Sequence, residues 1–443
     1  MIGVVADDIT GAGDIGIMFA KGGLEMHVYP LRHAEDPARA DARPDALIID
    51  THSRLDRPEE AYRKAFRATR LLAEAGCTAF YNKTCSVFRG NIGAEFDAML
   101  DALDHAFALV VLGFPKTGRT TLGGIHYVRG QRLEQSEFRH DPVHPMTRSD
   151  LVGILQAQTR RRVDRLDIGV VDEGGERLRE AIAEKKKTCH YLIVDVRDQA
   201  SLRTIAEAAR DERVVCGSSA LAEELALLEG YAREGAGSDK AGDGAVSPPL
   251  AGRRNVLCVA GSLMPQTAAQ SAYIRRKGVR SAELDSLLLL DPQRRDEHLR
   301  RAADLAARVL EAGEDVLVYA SDDPEKVAET KRRAREQGIG NTAVSRLVSD
   351  ALSQTVKAIC ERSGQCRIVV AGGETSAAVC AELGIKGFRI WKEIEPGLPS
   401  CESLDPERRL FVLKSGSFGS EDFLWKAIAH LKEEGGNRDE RGA

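Results

Sequence analysis

The sequence predicts an α/β protein of two domains, each with a largely parallel sheet flanked by helices and with the active site in the cleft between them. Three observations carry that reading. Short apolar runs alternate with helix-length stretches along most of the 443 residues, the pattern of strands joined by helical crossovers. One stretch, Arg233 to Arg254, is small, polar and Gly/Pro-rich without periodicity, as a linker is. Turns rich in Gly, Asp, Ser and Thr follow several apolar runs directly, and parallel sheets gather functional groups at those strand ends. A chain of this length also exceeds what one core usually accommodates. The expected division is a first domain over 1–235, a linker over 236–254, a second domain over 255–432 and a tail over 433–443.

The elements follow in order. Strand Ile2–Ala6 leads into a helix over Ala12–Lys21. Strand Ala46–Asp50 precedes a helix over Pro58–Ala75, whose proline suits a first turn. Ala79–Asn82 precedes Ile92–Leu103, and Ala108–Leu112 follows. Ile168–Val171, Leu192–Val196 and Val214–Cys216 read as strands, each before a helical pattern. Beyond the linker, Val256–Ala260, Val316–Ala320 and Ile368–Ala371 resume the rhythm, and Phe388–Trp391 and Leu410–Leu413 close it.

Composition is that of an ordinary enzyme: 43% hydrophobic, 30% charged, net charge −5. A nucleic-acid binder would concentrate basic surface; Arg160-Arg161-Arg162 and Lys185-Lys186-Lys187 are short and read as solvated faces. The nine cysteines form no C-x-x-C pair, and most sit in apolar runs as buried thiols do. With no leader pattern and no apolar stretch of membrane-spanning length, the expected setting is cytoplasmic and reducing, with no membrane partner. The oligomeric state is open, a homo-oligomer included.

Four polar clusters follow strand ends in the first half. They are Asp7 and Asp8; Asp50 to Arg54; Lys83-Thr84-Cys85-Ser86 with Arg89 and Asn91; and the stretch from Phe114 through Arg119 to Thr121. Together they suit a small polyhydroxylated acid: cations hold its carboxylate, bidentately where arginine is used, and an aspartate accepts a hydroxyl proton. The competing reading is that Asp7 or Asp8 merely caps the next helix. In the second half, small-residue turns at Gly261-Ser262, Gly372-Gly373-Glu374-Thr375-Ser376 (before a helix over Ala377–Leu383) and Ser415-Gly416 would form a cradle of backbone donors for phosphates. Walker-A spacing is absent, and none of these second-half turns carries G-x-G-x-x-G. His140 and His144 flank Asp141-Pro142-Val143 on a loop and do not read as zinc ligands.

At these residues the chain resembles the four-carbon acid sugar kinases, which include D-threonate, D-erythronate and 3-oxo-tetronate kinases. The resemblance runs from Ala6-Asp7-Asp8-Ile9-Thr10-Gly11-Ala12 to Lys414-Ser415-Gly416-Ser417-Phe418-Gly419. It passes through Lys83-Thr84, Arg89-Gly90-Asn91, Gly118-Arg119-Thr120, Gly123-Gly124, Gly372 to Ser376 and Glu393-Ile394-Glu395-Pro396-Gly397. It implies an N-terminal sugar-acid domain and a C-terminal ATP domain, with phosphate passed to a terminal hydroxyl. It places Asp8 and Asp7, Arg54, Lys83, Thr84 and position 85 at the substrate. Ser262, Gly372, Gly373, Glu374, Thr375 and Gly416 would meet ATP, with Mg2+ expected and its ligands unassigned.

The chain also departs from the family. Lys83-Thr84-Cys85-Ser86-Val87-Phe88-Arg89-Gly90 stands where the family usually reads Lys-Thr-Asp-Ser-Thr-Leu-Arg-Gly. A carboxylate has become a weakly polar thiol and a hydroxyl has become a methyl. Such changes alter discrimination between hydroxyl patterns by orders of magnitude, which points to a keto or branched acid such as 3-oxo-isoapionate. Ser400 and Ser417 replace the usual Trp and Asn. A nucleophilic role for Cys85 is not needed, because direct transfer has no covalent step. The alternative that Cys85 raises is a non-catalytic sugar-acid sensor that keeps the fold.

Overall fold

A computed structural model describes residues 1–34, 44–141, 143–234 and 254–433, which fall into two compact units, 1–243 and 244–443. The expected linker lies outside the described residues except for Arg254, as does the tail beyond Glu433.

The strands of the first unit are β1 (Ile2–Ala6), β2 (Met26–Pro30), β3 (Ala46–Asp50), β4 (Ala79–Lys83), β5 (Ala108–Val111), β6 (Arg119–Leu122), β7 (Ile125–Val128), β8 (Gln131–Arg132), β9 (Val163–Leu166), β10 (Tyr191–Val194) and β11 (Val214–Gly217). The main sheet runs β2-β3-β1-β4-β11-β5-β10-β9, every neighbour parallel. Strands such as β1, β3, β5 and β10 are buried on both sides, so they read as continuous apolar runs rather than alternating ones. The register sets the site: Ala6 lies opposite Asp50 on one side and Lys83 on the other, and Gly217 lies opposite Lys83 and Val111. The turns after β1, β3, β4, β5 and β11 therefore leave the sheet at one level. Between β5 and β9 the chain forms an antiparallel meander, β6-β7-β8.

The second unit contains β12 (Leu257–Ala260), β13 (Arg280–Leu284), β14 (Val316–Ala320), β15 (Arg367–Ala371), β16 (Phe388–Glu395), β17 (Leu398–Ser403) and β18 (Leu410–Lys414). Its order is β13-β14-β12-β15-β18-β17-β16, parallel as far as β18 and antiparallel thereafter. Ala260 pairs with Ala371, and Ala371 with Lys414, so three adjacent strands end together. Val256, Cys258, Val369, Val412 and Phe423 are among the residues of its core.

Several expectations are corrected. Ile168–Val171 is the start of a helix, Ile168–Asp172, and the strand is β9 just before it. Asp195, distant in sequence, accepts from the Ile168 N–H at 3.1 Å and so holds that helix start; β9 lies at the sheet edge and needs little apolar sequence. The first helix begins at Ile9 rather than Ala12, because Asp8 caps it. The helix expected over Ala377–Leu383 runs Gly373–Glu382 and takes most of the glycine turn into its first turn. Arg119 to Thr121 belong to β6, not to a loop. Strands β2, β13 and β17 have no counterpart in the expected list. All nine cysteines are free and buried.

Candidate active site

In the first unit, β1 ends and the backbone passes into Asp7 and Asp8, both buried. Asp8 Oδ1 accepts from the Gly11 N–H at 2.6 Å, and its Oδ2 accepts from the Thr10 hydroxyl at 3.2 Å. Asp8 is therefore a true helix cap, and the cap alone does not account for its surroundings. Arg54 donates Nε and Nη2 to Asp7, each at 2.7 Å, and Nη1 to Asp8 Oδ2. This fork ties the turn after β3 to the turn after β1. Burial pushes the Asp8 carboxyl up, but Arg54, Lys83 and the Gly11 N–H outweigh it and hold it below the usual range. Asp8 is an ionised acceptor at neutral pH.

Lys83 closes β4 with its ammonium buried. It donates to the Thr84 carbonyl at 3.0 Å and pairs with Asp14 at 3.3 Å. Asp14 is the one charged residue in the otherwise apolar and small helix Ile9–Ala20, which is a signal the sequence offered and the reading missed. Burial raises its carboxyl despite Lys83. Glu95 was also missed; it accepts from the Ser53 hydroxyl at 2.7 Å and is driven well above the ordinary carboxylic range by burial and by Asp7. Asp50 is raised to about 6, again by burial first. Asp14, Glu95 and Asp50 are thus raised while Asp8 is lowered, a separation that suits different proton roles for like groups.

The Cys85 loop forms the other half. Arg89 donates Nε to Cys85 Sγ at 3.3 Å and Nη1 to Asp141 at 2.6 Å, with its guanidinium 5.1 Å from the Phe138 ring centroid. Burial would raise the thiol, but Arg89 and Arg54 bring it below its ordinary value. Asp141 orders its own loop by accepting from the Val143 and His144 N–H groups, and His144 Nε2 meets the Arg54 carbonyl at 2.8 Å. Asp141 and His144 thus hold the Arg89 side chain and the Arg54 carbonyl. Asn91 donates to the Ser53 and Asp56 carbonyls at 3.1 and 2.9 Å and so supports the Arg54 turn. Arg119 is buried, donates to the Thr117 carbonyl at 2.5 Å and is lowered to about 10 by burial. Thr84 and Ser86 are buried, and among the described residues Thr84 Oγ1 has no hydrogen-bond partner. His52 (φ 48°) and Phe88 (φ 58°) hold left-handed backbone beside Arg54 and Arg89. For a bulky residue such as Phe88 that conformation is strained by about 1–3 kcal/mol, and such strain clusters at functional sites.

In the second unit the three strand ends converge. Gly372, at φ 125°, donates its N–H to the Lys414 carbonyl at 2.9 Å. A Cβ there would lie 3.3 Å from Ser262 N and 3.2 Å from Thr375 Oγ1, and a Cβ on Gly416 would overlap Ser262 Oγ. Backbone of all three turns therefore packs within reach of one small volume. Helix Gly373–Glu382 starts there, and Gly372 gives it no side-chain cap, which suits an anion at the helix start. Thr375 and Ser376 are buried beside them, and Ser376 Oγ has no partner among the described residues. A corner in which Gly372 and Gly416 leave little room for a Cβ fits the phosphates of a nucleotide.

One unit with an ionised aspartate among buried cations, and another with a glycine corner at a helix start, suit a phosphotransferase acting on a small acid. The comparisons with known proteins agree. Residues 2–225 match the model of a sugar-binding N-terminal domain and residues 257–424 that of a nucleotide-binding C-terminal domain. Curated 3-oxo-tetronate kinases are similar along nearly the whole chain. That of Pseudomonas fluorescens is 34% identical over 97% of both chains. That of Brucella melitensis is 32% identical over 98% of this chain and 96% of its own. A crystal structure from Salmonella typhimurium LT2 superposes with a TM-score of 0.77 at 28% identity, covering 96% of this chain and 98% of its own. One from Haemophilus influenzae gives 0.69 at 28%, covering 97% and 100%. The chain belongs to the four-carbon acid sugar kinase family and is an ATP-dependent sugar-acid kinase. No helix among the described residues is long and apolar enough to cross a membrane.

Proposed function

We propose that this kinase transfers the γ-phosphoryl group of ATP to a terminal hydroxyl of a four-carbon keto acid or a branched keto relative such as 3-oxo-isoapionate. The observation that carries the proposal is the Asp8 carboxylate, buried at the end of β1 and held ionised by Arg54 and Lys83, next to a loop in which Cys85 and Arg89 are partners. Phosphoryl transfer through a loose transition state asks little of a base beyond orienting the hydroxyl and taking its proton late, so a carboxylate of low basicity suits the role. Asp7 shares that position and is occupied by the Arg54 fork. Lys83, Arg89 and Arg119 would hold the substrate's carboxylate and keto oxygen, as cations do best when water is excluded. Thr84, Ser86 and Asn91 line or brace the same loop. The names of the curated relatives favour a 3-oxo acid, and the thiol at position 85 suits an acid with a carbonyl where others carry a hydroxyl.

In the second unit Ser262, Gly372 to Thr375 and Gly416 would take the phosphates. The donor set of that corner is one carboxylate, Glu374, among glycines and hydroxyls, which suits a magnesium ion held mainly by phosphate oxygens and water. Bound there, magnesium supplies neutralisation of charge on the transferring group. The test is ADP release with a panel of four- and five-carbon acids, including 3-oxo-tetronate, 3-oxo-isoapionate and D-threonate. Turnover confined to D-threonate would refute the keto preference, and turnover with none would refute the proposal.

A further inference from the structure

Lys414 ends β18 with a relative exposure of 0%. Its ammonium donates to Thr267 Oγ1 at 3.0 Å and more weakly to the Gly416 carbonyl at 3.4 Å, while Thr267 Oγ1 itself donates to that carbonyl at 2.8 Å. One donor thus reaches the turn that carries Gly416 directly, and a second reaches it through Thr267. No carboxylate of the described residues lies within ion-pair distance of it. The charge facing it is Glu395, which is held by Ser420 and Lys426. A buried ammonium without a close counter-ion is costly, and a ligand anion beside it would offset that cost. Consistent with that cost, burial lowers its value to about 7. The sequence has no Walker-A lysine, and the structure puts a lysine under the phosphate corner from a different strand.

We propose that Lys414 is the positioning charge of the nucleotide site: a buried cation that orients the Gly416 turn and favours ligands bearing phosphate. This rests on the reading of the Ser262–Gly372–Gly416 corner as the phosphate cradle. The role belongs to the charge rather than to packing, and it separates the nucleotide's two halves, phosphate and nucleoside. Removing the charge should weaken ATP while leaving adenosine almost as it was, because the Thr267–Gly416 bond survives the substitution.

The experiment is calorimetric titration of the full-length protein with ATP and, separately, with adenosine. Wild type is compared with Lys414→Met and Lys414→Gln, the glutamine keeping a donor for Gly416 without charge. Loss of one charge-assisted contact predicts that ATP weakens by about 10- to 100-fold in both variants, while adenosine changes by less than about threefold. Equal weakening of the two ligands would mean a merely structural lysine and would overturn the inference, as would unchanged ATP affinity in either variant. Gly373→Val separates this from failure of the cradle. If that variant loses ATP and the lysine variants do not, the cradle stands and the inference falls. If Gly373→Val binds ATP normally, the cradle reading itself is wrong.

Discussion

Asp8→Asn isolates the proposed chemistry from the helix cap, because asparagine caps a helix about as well as aspartate does. The amide oxygen takes over the Gly11 N–H bond that Asp8 Oδ1 accepts at 2.6 Å. The amide nitrogen then faces Arg54 Nη1 and Thr10, where a carboxylate oxygen accepted from both. One charge-assisted bond becomes a contact between donors, while Arg54 keeps its fork on Asp7. The lost bond to a charged group costs about 1–3 kcal/mol of stability, or a few degrees in melting temperature for a unit of this size. Loss of the proton acceptor costs far more in rate, about 10²- to 10⁴-fold in kcat. ATP affinity should be untouched, because the phosphate corner belongs to the other unit. Initial rates of ADP release at saturating ATP, calorimetric ATP affinity and a thermal melt of the same preparation measure all three. A folded variant whose kcat stays within about twofold of wild type refutes Asp8 as the acceptor and leaves it a cap.

Gly416→Ala should weaken ATP by at least about tenfold, because its methyl would overlap Ser262 Oγ; titration with ATP checks it, and wild-type affinity would count against a shared cradle. Cys85→Asp places a carboxylate against Arg89 and Arg54; the ratio of kcat/KM for D-threonate over 3-oxo-tetronate should rise by about tenfold or more, and an unmoved ratio removes position 85 from specificity. Asp50 is raised from 3.8 to about 6, so its contribution is present below about 4 and is lost as pH rises through 6. Asp50→Asn should therefore stabilise the protein at pH 8 by up to about 3 kcal/mol and do little at pH 4. Melting curves at the two pH values decide it, and an equal shift at both would show that the carboxyl titrates normally. Asp14→Asn should loosen Lys83 and raise KM for the acid by about tenfold with ATP affinity unchanged; an unaltered KM means Lys83 needs no partner.

The strand-to-helix rhythm and the turn chemistry were legible because both are local. β1, β3 and β14 carry apolar runs bounded by turn residues, and their ends were read to the residue. The polar turns after β1, β3 and β4 were legible for the same reason, since their Asp, Arg and Lys residues stand out directly after apolar runs. β9 and β13 were not legible, because they lie at sheet edges and tolerate Asp, Arg and Glu. The helix at Ile168 is not legible locally because the carboxylate that accepts from its first N–H, Asp195, comes from elsewhere in the chain. Arg54 was read as an open cation for a substrate, whereas it forks onto Asp7 and Asp8, a contact that spans more than forty residues.

By itself the sequence determined the alternating architecture, the phosphate-suited glycines and the acid-binding residue types, because propensity, periodicity and turn conformation act over a few neighbours. Only the tertiary structure decided which carboxyl is held low, which are pushed toward protonation, and that Lys414 is buried beside the Gly416 turn. Those outcomes depend on burial and on the distance to opposite charge, and both are fixed by strands brought side by side from distant parts of the chain.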